Sequence, residues 1–392
     1  MDFSFTEEQK LLRETIRQYM EREYRPAIRE MDKNEVFPRE QIRGLAALGC
    51  CGMCVPEEWG GAGMDVLSYA LMLEEVARVC AATAVTLSVT NSVVAMPLYR
   101  HGHDAQRAKY LKRLAAGEIL GAFCLTEPGA GSDAAAIQAR AVRDGDFYRL
   151  SGTKTWVSTG GDAGVLLVFA KTDAAAGARG ASAFLVEPGF PGFRVARYED
   201  KMGLRMSHTA EIALDDCRVP AENRLGEEGA GLKIALEALD SGRVGIAAQA
   251  LGIAQGAFEE AVRYAKQRRA FGSPISDFQG IQWMLADMQT EIEAARVLVY
   301  SAAWKQQQYG AGAAGKPASR AKLYASEMVN RVVSKAVQVH GSQGYSRESH
   351  VERMYRDARV ITIYEGTSEV QRMIIARDLL AGASGIAAKR AV

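Results

Sequence analysis

The spacing of apolar residues changes twice along this chain, and those two changes restrict its architecture more than any other feature. From residue 3 to about 117 apolar residues recur at three and four positions (Leu11, Leu12, Ile16, Met20), the period of an amphipathic helix, with stops at Gly49 and around 60–63. Thr6 followed by Gln9 opens the first helix as a capping box, and further helices are expected over 66–79, 82–99 and 104–116. From about 120 the chain offers short runs rich in β-branched and aromatic residues instead: 122–125, 139–143, 147–150, 155–158, 165–171, 182–187, 193–198 and 211–214, with Asp144-Gly145 as a hairpin turn. No helical pattern separates these runs, so antiparallel pairing in a small sandwich or barrel is expected. After Gly226, Gly229 and Gly231 the helical period returns and runs to about 380, interrupted at 271–277, 309–317 and 340–350. The expected fold is α+β, mostly helical. It has an N-terminal helical domain over 1–119, a middle antiparallel β domain over 120–225 and a C-terminal four-helix bundle over 226–392.

Composition removes several functional classes. Lys+Arg 48 against Asp+Glu 47 leaves a net charge of +1, so no overall field draws the chain to nucleic acid or to an anionic membrane. The longest apolar runs noted, 165–170 and 181–186, are strand-sized against the roughly 20 residues of a membrane span, and no integral membrane segment is expected. With no charged-then-apolar leader ahead of the first helix, a cytoplasmic location is expected. Six scattered cysteines do not form a disulfide scaffold; Cys51 and Cys54 make a C-x-x-C that reads as apolar filler before redox chemistry, and no metal site is expected.

Four strings could carry chemistry. The loop 126–133 packs two glycines, two hydroxyls and two carboxylates after a strand, which suits close approach of a polar ligand or an ordinary turn-rich connection. Trp156-Val157-Ser158-Thr159-Gly160-Gly161 ends another strand; its Trp reads as core on its own, and beside the first loop as a wall for a flat heteroaromatic ring. Arg268-Arg269-Ala270-Phe271-Gly272 reads either as cations closing a helix or as a phosphate-binding Arg with an aromatic face. In 363–369, Glu365 lies between an apolar run and a glycine, where a carboxyl is pushed toward the pKa of a general base, or it is simply an acid ahead of a helix N-terminus.

Together these strings resemble the acyl-CoA dehydrogenase family of flavoenzymes, most closely its short-chain, butyryl-type branch, over 5–380. The resemblance is carried by 125–133, 156–158, 268–272, 338–344, Tyr355-Arg356-Asp357-Ala358-Arg359 and 363–372. It implies FAD as cofactor, lined by Phe123, Leu125, Thr126, Gly131, Ser132, Trp156 and Ser158, with Thr126 and Ser158 bonding its ring system and Trp156 covering it. Arg268, Phe271, Gln338, Gly341 and Ser342 would reach the FAD of a neighbouring subunit, which implies a homotetramer built as a dimer of dimers. Thr367 and Glu369 would touch the phosphate region at a helix N-terminus. For acyl-CoA the resemblance implies contacts from Ser132, Ser207, Asp240, Arg243 and Gly366, with Glu365 as catalytic base.

The implied chemistry is removal of a thioester α-proton by Glu365, with the carbonyl polarised by the Glu365 N–H and an FAD hydroxyl, and hydride transfer from Cβ to the flavin to give a trans-2-enoyl-CoA. Electrons would then pass to electron-transferring flavoprotein. Gly341-Ser342 stands where members often carry paired glycines, and His350 where a proline is common. Branched- and long-chain members that place a Glu just before the Arg243 equivalent have a different base geometry, and here that position is Gly242. Straight short-to-medium chains are therefore expected, with Ile361 as a candidate limit on depth; a branched-chain dehydrogenase or the DNA-binding, alkylation-response relative of the fold is the alternative.

Overall fold

The computed structural model describes residues 4–388. Helices α1 (Glu7–Tyr19), α2 (Ile28–Lys33), α3 (Arg39–Ala47), α4 (Val66–Val79), α5 (Ala81–Ser88), α6 (Met96–His101) and α7 (Asp104–Ala115) come first. Strands β1 (Gly121–Cys124), β2 (Arg140–Asp144), β3 (Phe147–Ser158), β4 (Val165–Lys171), β5 (Ala181–Val186), β6 (Phe193–Tyr198), β7 (Thr209–Pro220) and β8 (Arg224–Leu225) follow. Then come α8 (Gly231–Gln267), the short hairpin β9 (Arg269–Ala270) and β10 (Ser273–Pro274), and helices α9 (Gln279–Tyr309), α10 (Ala311–His340), α11 (His350–Arg359) and α12 (Ser368–Ala388). The order is the α+β, mostly helical one that the apolar spacing predicts.

The capping box forms as read: Thr6 Oγ1 accepts from the Gln9 N–H and Gln9 Oε1 from the Thr6 N–H, both at 3.2 Å. α5 and α6 are joined through a π-helical segment, Val89–Ala95, into one apolar rod over 81–101. That rod is longer than the strand-sized runs, and among the described residues it is the one helix with the length and hydropathy of a membrane span. It is a core helix, because 94% of its apolar window is buried in the protein. Its internal polar residues are satisfied locally, as by Asn91, which bonds Cys50 O, Leu87 O and the Met53 N–H at 2.8–2.9 Å.

The strands form one sheet in the order β6-β7-β3-β2-β4-β5-β8, with β1 added beside β4. Pairing is antiparallel except that β1 runs parallel to β4, and β2 meets β4 parallel at Arg140–Lys171. The antiparallel expectation is corrected there, since the whole β2–β3 hairpin intervenes and supplies the crossover that parallel neighbours need. The two short strands read at 147–150 and 155–158 are one strand, β3, interrupted by irregularities at 150/152 and 154/157 that break its alternation. In the C-terminal part α10 packs along α8, α9 and α12. The interruption expected over 309–317 shrinks to Gly310, whose φ of 80° turns the chain between α9 and α10.

α8 is the element that positions the site. A Cβ at Gly252 or Gly256 would lie 2.2 Å from Glu74 O or Arg78 O of α4, so only glycine lets the two helices pack backbone to backbone.

Candidate active site

Glu365 and Gly366 sit on a turn between α11 and α12 with φ of 53° and 87°, two consecutive left-handed residues. The turn is held by side chains from two helices: Gln371 Nε2 donates to Glu365 O at 3.3 Å and Gly366 O at 3.0 Å, and Lys322 Nζ to Gly366 O at 2.8 Å. So strained a turn persists only because it is held from outside.

It carries the Glu365 carboxylate onto α8 at Gly242, where a Cβ would stand 2.8 Å from Oε2 and 3.0 Å from Oε1. Any larger residue at 242 would displace the carboxylate. Although Glu365 as a residue is half-buried, Oε2 is out of contact with solvent and lacks a hydrogen-bond partner. Burial pushes its carboxyl up to about 7, against the opposing pull of Arg243 and Lys322. Arg243, itself buried, is ion-paired to Asp240 on the preceding turn, and its Nε is unpartnered. Asp240, Arg243, Glu365 and Gly366 are thus brought together. Ser207 is buried with an unpartnered hydroxyl on the loop before β7, and no hydrogen bond joins it to that group.

A second cluster forms where β1 and β3 end. Thr155 N–H donates to Thr126 O at 2.9 Å, and the wholly buried Lys154 donates to Glu127 Oε1 at 2.7 Å and Leu125 O at 3.1 Å. Glu127 in turn accepts the N–H groups of Gln138 and Ala139. Phe123 packs on Phe169, Leu125 is buried, and Gly131 and Ser132 face solvent with open space beside Gly131. Trp156 takes φ of 57° at the β3 irregularity and is 61% exposed, so it is not core. Ser158 follows half-buried.

Arg268, Phe271, Gln338, Gly341 and Ser342 make a third cluster, gathered by the stacking of Tyr264 on His340 at 4.3 Å between the ends of α8 and α10. All five are exposed, and Phe271 is 97% exposed at φ of 50°. Gly242 and the last residue of α8, Gln267, are separated along one helix by about 37 Å at a rise of about 1.5 Å per residue. One copy of the chain therefore does not bring Arg268 and Glu365 to the same place.

Thr367 Oγ1 accepts from the Val370 N–H at 3.2 Å as the cap of α12, and the Glu369 carboxyl is held below its usual range by the backbone N–H donors there. Side-chain atoms that are buried and unpartnered concentrate in this region: Ser241 Oγ, Arg243 Nε, Glu365 Oε2, Ser368 Oγ and Gln371 Oε1. Native interiors leave few such atoms, so their concentration here fits a polar ligand that supplies missing bonds. Among the described residues no group of three or more His, Cys, Asp and Glu could hold a metal ion. Burial pushes the Cys51 and Cys54 thiols up to about 12, which fits apolar fillers.

Comparison with known proteins decides what this arrangement belongs to. The acyl-CoA dehydrogenase N-terminal, middle and C-terminal domain models match residues 6–118, 122–217 and 229–380. The chain belongs to the acyl-CoA dehydrogenase family. A short-chain specific acyl-CoA dehydrogenase of Clostridium acetobutylicum is 47% identical over 96% of this chain and 98% of its own. The caffeyl-CoA reductase-Etf complex subunit CarC of Acetobacterium woodii is 46% identical over 96% and 99%. Among solved structures, butyryl-CoA dehydrogenase from Megasphaera elsdenii superimposes with a TM-score of 0.94 at 46% identity, covering 97% of this chain and all of that one.

Acyl-CoA dehydrogenases are FAD enzymes, and the residues present here fit that cofactor: an exposed Trp, hydroxyls and glycines at the β loops, and an anion-favouring helix N-terminus. Sequence reading missed Lys322, Gln371, Lys154 and the Tyr69–Ser88 hydroxyl pair. Lys322 had a signal, since it falls on the buried stripe Ala318, Ala321, Ala325, Met328 of α10.

Proposed function

We propose that this protein desaturates short straight-chain acyl-CoA thioesters to trans-2-enoyl-CoA, with Glu365 as the base; the observation that carries this is a buried, unpartnered carboxylate held against Gly242 on a turn braced by two helices. With its carboxyl pushed to about 7, Glu365 is basic enough to take an α-proton yet ionised in a large fraction of molecules at neutral pH. The Glu365 N–H has no acceptor among the described residues, and is the donor that would polarise the thioester carbonyl as negative charge develops there. Arg243 and Asp240 flank the base and take the CoA portion, with Gly366 against the substrate and Ser132 and Ser207 as further contacts.

FAD, when bound, supplies the acceptor for the Cβ hydrogen and its electron pair, and electron-transferring flavoprotein takes the electrons onward. Phe123, Leu125, Thr126, Gly131, Ser132, Trp156 and Ser158 would hold its ring system, and the helix N-terminus at Thr367 and Glu369 would lie at its phosphate region. Arg268, Phe271, Gln338, Gly341 and Ser342 serve a partner's cofactor, as their exposure and the length of α8 support, in a homotetramer. Location in the cytoplasm completes the reading.

Chain length follows from α8. One turn beyond Gly242, a Cβ at Gly245 would meet Tyr69 Oη at 2.4 Å and Ser88 Oγ at 2.5 Å, and those two hydroxyls bond each other at 3.0 Å. This polar pair, with Tyr69 close enough to Glu365 to feel its charge, is the proposed limit on chain length in place of Ile361, which lies in the main core. Anaerobic bleaching of the flavin and kcat/KM for butyryl-, hexanoyl-, octanoyl-, palmitoyl- and isovaleryl-CoA test the reading. Butyryl- or hexanoyl-CoA should exceed palmitoyl-CoA by at least about tenfold. A preference for palmitoyl- or isovaleryl-CoA would overturn the chain-length assignment.

Arg268→Glu should weaken FAD binding by about 10- to 100-fold, the value of a charge-assisted hydrogen bond, and loosen the dimer. Sedimentation with bound-flavin absorbance would show it; a stable parent monomer with full FAD would contradict the shared site.

A further inference from the structure

Lys322 is wholly buried on α10, on a stripe of alanines and a methionine, and makes one hydrogen bond, to Gly366 O at 2.8 Å. An ammonium group has three donors, and one bond to a neutral carbonyl does not offset burial of a full charge. Gln371 Nε2 donates to the same carbonyl at 3.0 Å, so the two side chains brace the turn together. What Lys322 adds at this point that Gln371 does not is positive charge, and the group it faces across the turn is the Glu365 carboxylate.

We propose that Lys322 is a positioning residue for the base: it braces the 365–366 turn and presents a positive charge to Glu365 from α10. The proposal rests on the reading of Glu365 as the base. Glu365 is faced by Arg243 from α8, which is shared with Asp240, by the buried Tyr69 hydroxyl from α4, and by Lys322 from α10. Around Lys322, Glu365, Glu327 and Glu369 favour its charged form while Arg243 opposes it. Burial brings the Lys322 ammonium down to about 8 and pushes the Glu365 carboxyl up to about 7, which leaves the lysine charged over the range in which Glu365 ionises.

The sign of the effect follows. Glu365 acts as base only when ionised, so kcat/KM rises with pH through a limb near 7. Removing the Lys322 charge makes ionisation harder and moves that limb up. In the FAD-loaded enzyme with butyryl-CoA, Lys322→Met should shift the limb by about one pH unit, lowering kcat/KM about tenfold below pH 6.5 with less than about threefold change on the high-pH plateau. Lys322→Gln, a donor without charge, should shift it equally, and Lys322→Arg should restore it. A parent-like limb in Lys322→Met, or in Lys322→Gln if Lys322→Met does not fold, overturns the proposal; so does failure of all three variants to fold, which would make Lys322 a folding residue. Glu365→Gln separates the two levels. If it stays active, the base assignment has failed; if it is inactive and the Lys322 variants keep the parent limb, only the present proposal has failed.

Discussion

Glu365→Gln is expected to bind FAD normally and to slow flavin bleaching by butyryl-CoA by about 10³- to 10⁴-fold, the range over which a positioned general base acts. The amide is nearly the same size as the carboxylate, so it still fits against Gly242, where a Cβ would approach the carboxylate to 2.8 Å. It no longer has to be charged in a site where burial disfavours charge, so the fold should be at least as stable as the parent. Only the ability to take a proton is lost. Rapid anaerobic bleaching by the variant would remove Glu365 from the role of base. A companion variant, Gly242→Glu with Glu365→Gly, should recover part of the activity, because the two positions meet at one point in space from different elements. Stopped-flow absorbance on both variants checks this pair.

Glu365 was legible in the sequence as the candidate base because its signal is local: an apolar run, one carboxylate, a glycine and the start of a helix, all within 363–369. The helical periods that place α4 and α7 are local in the same way, and the structure follows them to within a residue or two. What braces the Glu365 turn was not legible as a pair. Lys322 reaches Gly366 across 44 residues of sequence, and only the packing of α10 on the turn joins them. The parallel pairing of β1 with β4 was hidden for the same reason, since sheet order is set by the whole domain. Trp156 shows a subtler failure. Alternation along β3 would turn it inward or outward by counting, but the irregularity between Lys154 and Val157 resets the count and leaves the indole outside.

Lys154, the last residue before that irregularity, is buried in phase with Tyr148 and Leu150, and a second large effect is expected there. Lys154 and Glu127 are both buried, bonded at 2.7 Å, and the pair bridges the loop that begins at Leu125 to the strand that ends at Ser158. Lys154→Met keeps the length and apolar stem of the side chain but leaves the Glu127 charge buried with only the two backbone N–H groups of Gln138 and Ala139 as partners. Removing one member of a buried ion pair costs about 3–5 kcal/mol, far more than the loss of a surface bridge. Both loops proposed to hold the flavin ring hang from this strut, so FAD content should fall together with the denaturation midpoint. Glu127→Gln, with Lys154 intact, should cost less, because the amide oxygen still accepts from the ammonium and burial of the lysine already weakens its hold on its proton. Urea denaturation followed by tryptophan fluorescence, with flavin absorbance measured on the same samples, separates the outcomes. Unchanged midpoint and flavin content in Lys154→Met would show that the two loops are fixed by other contacts; loss of stability with flavin retained would confine the pair to folding.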